Sequence, residues 1–106
     1  MKKFLPIEVH EKARRMLIAI TDYYAKAGGM SSVDNLLNTI KQKSIRIAHY
    51  PDSGTPEELL RDRKRFYRSL ILNKRIKMVY FVEDETIHIA AFWDMRMHPD
   101  KLRRRI

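Results

Sequence analysis

From Phe66 to Trp93 apolar and polar side chains follow a period of two, interrupted only at Asn73-Lys74 and at Asp84-Glu85. A two-residue interruption leaves room for a tight hairpin turn and little else. The segment therefore predicts three antiparallel strands, Phe66 to Leu72, Arg75 to Val82 and Thr86 to Trp93. Helical spacing lies upstream. Ala13, Met16, Leu17, Ile20 and Tyr24 form one apolar stripe, and Val33, Leu36, Leu37, Ile40, Ser44 and Ile47 form a second. Gly28-Gly29 stops the first helix, and Ser31 or Ser32 caps the next, with Asp34 in its first turn. Phe4 to Val9 reads as a short strand, and Pro6 places it at an edge. Tyr50-Pro51-Asp52-Ser53-Gly54-Thr55-Pro56 reads as a loop, with Thr55 capping a short turn over Pro56 to Leu60. The expected fold is α+β over residues 1–106 as a single domain: an N-terminal strand, a two-helix hairpin, then a three-stranded antiparallel meander, with the helices packed on one face of the sheet.

Two-residue turns also assign faces, because a strand alternates its side chains. Counting out from Leu72 opposite Arg75 sets Tyr67, Ser69 and Ile71 against Tyr80, Met78 and Ile76. Counting from Glu83 opposite Thr86 adds Val82, Ile87, Ile89, Ala91 and Trp93 to that apolar face, the floor for the helices. The opposite face receives Arg68, Leu70, Leu72, Arg75, Lys77, Val79, Phe81, His88, Ala90, Phe92 and Asp94. Cations beside an aromatic platform suit single-stranded RNA, with phosphates paired and bases stacked, so Arg75 and Phe92 are expected as target or nucleic-acid contacts.

Charge supports a polyanionic or acidic partner. The net charge is +9 and it is concentrated: residues 61–77 hold eight cations and one acid, and residues 95–106 hold five cations and one acid. The second segment brings Arg96, His98, Arg103 and Arg104. The chain has no Cys, which excludes disulfides, thiolate metal sites and Cys nucleophiles and fits a cytoplasmic setting. No apolar run is long enough for a bilayer, so no membrane partner is expected, and the start Met1-Lys2-Lys3 does not continue as a leader peptide. Phosphate-loop, dinucleotide and paired-histidine zinc motifs are absent, and the four His are scattered, so neither metal nor cofactor is expected. Phosphoryl transfer on RNA stays open, with Lys77, Arg68, Arg75 and Arg96 as cations and His98, His88 or Asp94 as proton carriers.

The order of these elements resembles the RelE/ParE superfamily of type II toxin–antitoxin toxins. The likeness is carried by Tyr67-Arg68-Ser69-Leu70, by Lys77-Met78-Val79-Tyr80-Phe81-Val82-Glu83-Asp84, by Ile87-His88-Ile89 and by Arg96 with Pro99. Val9-His10-Glu11-Lys12-Ala13 is similar to the entry into the family's first helix, and Pro51 and Gly54 to its Pro-x-x-Gly loop. The resemblance implies a growth inhibitor of the plasmid-stabilisation type, held inactive by a cognate and commonly acidic antitoxin. It also implies contact with operator DNA only as the toxin–antitoxin complex.

The superfamily divides by target. RelE-like members cut mRNA on the ribosome with strand Lys and Arg residues; ParE-like members inhibit DNA gyrase and lack that set. Here Arg68 falls at a strand Lys position, Leu70 at another, Lys77 at an Arg position and Arg96 at the C-terminal basic position. Arg103 stands near the place of the RelE-like Tyr, and Asp94 replaces a common ParE-like His. Lys77, Arg96, Arg68 and His98 are thus the expected catalytic set if RNA is cut, and Arg75, Phe92, Arg103 and Arg104 the expected target contacts. The partial match leans to gyrase inhibition, with ribosome-dependent mRNA cleavage as the alternative. A non-enzymatic RNA-binding module and a basic structural subunit are the readings from other classes.

Overall fold

The computed structural model describes residues 4–106; the basic start, Met1 to Lys3, lies outside the described residues. Strand β1 (Ile7–Val9) leads into helix α1 (Glu11–His49), followed by a 3-10 turn at Pro51–Ser53 and the short strand β2 (Thr55–Pro56). A second 3-10 turn at Glu58–Leu60 precedes β3 (Arg68–Ile71), β4 (Ile76–Glu83), β5 (Thr86–Asp94) and the C-terminal helix α2 (Pro99–Arg105). The five strands form one sheet in the order β1-β5-β4-β3-β2, with β1 parallel to β5 and the other pairs antiparallel. The architecture is α+β, and it carries one strand and one helix more than expected.

A straight helix the length of α1 would run about 58 Å at 1.5 Å per residue, yet the longest dimension of the molecule is 40 Å. The break is at Gly29, whose φ of 77° and ψ of −178° lie outside helical space. Only glycine adopts that conformation cheaply. Both ends of α1 lie beside the β1 edge of the sheet: the N–H of Leu5, just before β1, donates to the Ala48 carbonyl at 3.1 Å, and the N–H of His10, just before α1, donates to Ile89 on β5 at 3.0 Å. The expected stop at Gly28-Gly29 thus falls at Gly29, where two helices meet across a kink; the chain is already helical again at Ser31 and Ser32, so the separate capped turn expected there is corrected to that single non-helical residue. The stripe residues Ala13, Met16, Leu17, Ile20, Tyr24, Leu36, Ile40 and Ile47 all pack on the sheet core.

Two local devices shift the expected register. Between β3 and β4 the chain does not turn on Asn73-Lys74 alone. The Asn73 side-chain oxygen accepts the N–H groups of Arg75 at 2.7 Å and Ile76 at 2.9 Å, and Leu72 N–H reaches the Ile76 carbonyl. This Asx-type turn pairs Ser69 with Val79 and Leu70 with Met78, one residue away from the expected pairing. A one-residue slip exchanges the faces of a strand, so Arg68 and Leu70 share the helix-side face while Ile71 is 63% exposed. Between β4 and β5 the register follows expectation from Glu83–Thr86 as far as Tyr80–Ile89, then a bulge intervenes and Val79 meets Ala91. An extra residue on one strand turns every later side chain over. Phe92 thereby enters the helix-side core with Met78 and Ile76, and Trp93 and Ala91 pass to the outer face. The turn at Asp84-Glu85 is as expected, with both residues at positive φ (52° and 55°), the conformation a two-residue hairpin requires.

The outer face is not open. Leu60 and Leu102, each essentially buried, cover Val79, Phe81, Ala91 and Trp93. Leu60 belongs to the second 3-10 turn, capped by the Glu57 side chain rather than by Thr55. Leu102 belongs to α2, which has Pro99 at its first position and Arg103 to Arg105 in its last turn, a favourable arrangement of charge at a helix C-terminus.

The loop between α1 and β2 is latched to the sheet by Tyr80. Its hydroxyl donates to the Pro51 carbonyl at 2.7 Å and accepts the Gly54 N–H at 2.9 Å. A Cβ on Gly54 would stand 2.6 Å from that hydroxyl and 3.0 Å from the Ser69 carbonyl. Gly54→Ala is therefore expected to destabilise the fold by about 1–3 kcal/mol through overpacking. Urea denaturation checks it, and an unchanged midpoint would show that the loop yields freely.

Candidate functional site

The cations expected to act together are held on different parts of the sheet. Arg68 stands opposite Tyr80 on the helix-side face, whereas Lys77 stands opposite Ile71 and Trp93 on the outer face. The Arg68 guanidinium donates to the Gly54 carbonyl at 2.9 Å, approaches the Asp52 carboxylate at 3.6 Å and lies over the Phe66 ring at 4.8 Å. Lys77 forms an ion pair with Glu57, and the two side chains are only 13% and 5% exposed. The other Glu57 oxygen accepts the N–H of Leu59 at 3.1 Å, so this pair fastens the second 3-10 turn to the sheet.

Arg96 donates to both oxygens of Asp94, at 3.1 Å and 2.7 Å. This bidentate pairing holds the Asp94 carboxyl below the usual carboxylate range and raises the Arg96 guanidinium above its own. Arg103 makes the equivalent contact with Asp62, at 3.2 Å and 2.9 Å, and also donates to the Leu59 carbonyl at 2.6 Å. The hydrogen bond from Arg103 is the main cause that lowers the Asp62 carboxyl. In return Arg63 donates to the Arg103 carbonyl at 2.6 Å, so α2 is stapled to residues 59–63. Arg104 is exposed and lines a shallow cleft with Lys12 and Arg15.

The expected proton carriers are dispersed too. His98 caps α2, its Nδ1 accepting the N–H of Asp100 at 3.1 Å. His88 is bonded to His10, Nδ1 to Nε2 at 2.9 Å, and is stacked on Phe81 at 4.7 Å between ring centres. Asp94 lies six residues further along β5, about 20 Å away at the rise of a strand. Phe92, expected on an exposed platform, is 3% exposed and enclosed by the helix-side core, so that expectation is corrected: its ring is not available for stacking on a base. Arg75 is exposed beside a cleft lined by Tyr23, Tyr24 and Lys74. Among the described residues no group of three or more His, Cys, Asp or Glu is arranged to hold a metal ion, and no helix is long and apolar enough to cross a membrane.

Sequence reasoning passed over the carboxylates that decide this geometry. Glu57 neutralises Lys77 from within the short turn read over Pro56 to Leu60, Asp62 neutralises Arg103 from just beyond it, and nothing local marks those pairings. The helix α2 did carry a signal: His98, Pro99 and Asp100 followed by three Arg is the pattern of a capped helix start and a basic helix end.

Comparison with known families follows the same outline. The model described as ParE toxin of type II toxin–antitoxin system, parDE, matches residues 7–99. The chain belongs to the ParE toxin family. Its fold is similar to a chain of the chromosomal ParDE toxin–antitoxin system from P. aeruginosa, with a TM-score of 0.68 and 17% identity, covering 86% of this chain and 96% of that one. It is also similar to the YoeB dimer from Staphylococcus aureus, with a TM-score of 0.53 and 24% identity, covering 84% of this chain and 94% of that one. No curated protein matches the sequence. This ParE-family chain is thus a type II toxin–antitoxin toxin of the RelE/ParE superfamily.

Proposed function

We propose that this ParE-family toxin arrests growth by binding and blocking its target, DNA gyrase, rather than by cutting RNA, and that a cognate antitoxin neutralises it in the cytoplasm. The observation that carries the reading is the pairing of the candidate catalytic cations. Lys77, Arg96 and Arg68 each face a carboxylate of the chain itself, and Arg68 and Lys77 occupy opposite faces of the sheet. Cleavage of a phosphodiester needs cations free to meet the charge that develops on phosphate, next to a proton carrier. Cations already neutralised, with their proton carriers dispersed along β5 and α2, favour a surface that binds over one that reacts.

A partner of opposite charge follows from the net charge of +9. Long-range attraction speeds capture of an acidic antitoxin and leaves specificity to contact residues. Operator DNA is assigned to the toxin–antitoxin complex and not to the toxin alone.

Inducible expression tests the reading. Growth is expected to stop when the toxin is made alone and to continue when a short acidic protein encoded beside it is made as well. Normal growth in both cultures would sink it and return the chain to the class of non-toxic binding modules.

A further inference from the structure

The cleft under the bend of α1 sets two tyrosines beside two cations. It encloses about 580 Å³ and is lined by Tyr23, Tyr24, Lys74 and Arg75, over a floor that includes Ala27, Gly28 and Ser32. Every charged residue of this lining is a cation. Several other arginines are answered by the chain's own acids: Glu58 meets Arg61, Asp62 meets Arg63 and Arg103, Glu83 meets Arg65, and Asp94 meets Arg96. The Lys74 and Arg75 side chains make no hydrogen bond or ion pair among the described residues. Asp94, on whose carboxyl the charge of Arg75 also acts, is hydrogen-bonded at both oxygens by Arg96. That guanidinium in turn lies 5.8 Å from the centre of the Tyr23 ring.

The aromatic wall is presented for contact. Tyr23 is 50% exposed, and Tyr24 is held in place because Asn73 donates to its hydroxyl at 3.1 Å. Tyrosine and arginine side chains placed this way are the residues that dominate protein interfaces. The small floor residues let a peptide backbone approach. A single strand of nucleic acid needs cations that follow its backbone over several nucleotides. Here the cations stand at one end, and the remainder of the lining is neutral.

We infer that this cleft is the docking site for an acidic segment of a partner protein, its carboxylates on Lys74 and Arg75 and an apolar side chain between them against Tyr23 and Tyr24. The inference rests on the toxin reading for the existence of such a partner, and its test does not depend on toxicity.

The probe is a fluorescein-labelled peptide alternating Glu and Leu, titrated by anisotropy at constant ionic strength. Lys74→Glu is expected to weaken binding roughly tenfold, and Lys41→Glu, the same charge change on the exposed side of α1, less than about twofold. Tyr23→Ala, which leaves the charge unaltered, is expected to weaken it roughly fivefold. Equal losses from Lys74→Glu and Lys41→Glu would overturn the site, since only net charge would then matter. Tighter binding of labelled oligouridylate, lost on Lys74→Glu, would overturn the occupant. Absence of growth arrest in cells would remove the toxin reading and leave these titrations standing, so the two failures are distinguishable.

Discussion

Lys77→Ala is expected to lower the stability of the protein by about 3–5 kcal/mol, because it leaves the Glu57 carboxylate buried without its counter-ion. Glu57 is 6% exposed and retains one backbone hydrogen bond, from Leu59. The same segment carries Leu60, which is 1% exposed against the outer face of the sheet, so loss of the pair also loosens an apolar contact. A companion variant separates charge from packing. Lys77→Met with Glu57→Leu removes both ions, and replacing a buried pair by apolar groups of similar size is often neutral or stabilising. Denaturant unfolding of the two proteins should place the single variant far below the wild type and the double variant near it. A single variant as stable as the wild type would mean that Lys77 is solvated and free to act on a ligand. The pair also bears on how toxicity is scored: loss of growth arrest in Lys77→Ala reports unfolding first, and only the double variant reports the role of the cation.

Phe92→Ala should cost about 3–5 kcal/mol, the range for truncating a buried aromatic ring and leaving a cavity. Without the β5 bulge Phe92 would stand on the outer face, as the uninterrupted alternation predicts. With it, the ring lies among Leu72, Ile76 and Met78 beneath the helices. Ile71→Ala provides the internal comparison. An unshifted register would bury Ile71, but its side chain is 63% exposed, and its truncation should change stability by less than about 0.5 kcal/mol. Equilibrium denaturation of the two variants reads the register directly. Similar small losses in both would contradict the bulge and restore an exposed aromatic platform.

These two residues show where sequence reasoning holds and where it stops. Tyr80, Ile87 and Ile89 are legible because they lie on the Glu83–Thr86 side of the bulge, and Ile76 and Met78 because the extra residue is on β5 and leaves the alternation of β4 intact. The helical stripes are legible because 3.6-residue periodicity survives the break at Gly29. The bulge itself is silent: an alternating pattern of Ala90, Ala91, Phe92 and Trp93 is apolar in either register. The β3–β4 turn is silent for another reason, since Asn73 serves as a turn residue or as a side-chain acceptor with the same letter. The candidate site suffered most. Its expected unity depended on Arg68 and Lys77 sharing a face, and a one-residue slip separated them. The carboxylates that neutralise Lys77 and Arg103 lie 20 and 41 positions away in the chain, beyond the reach of any local pattern.

The central claim is that a ParE-family chain with its candidate catalytic cations internally paired inhibits a target without breaking RNA. The most direct measurement exposes the purified toxin in parallel to gyrase with relaxed plasmid and to ribosomes programmed with mRNA. Loss of supercoiling or gyrase-dependent breaks in the plasmid, with the mRNA intact, is the predicted result. New mRNA ends that arise only when ribosomes are present, with gyrase unaffected, would contradict it.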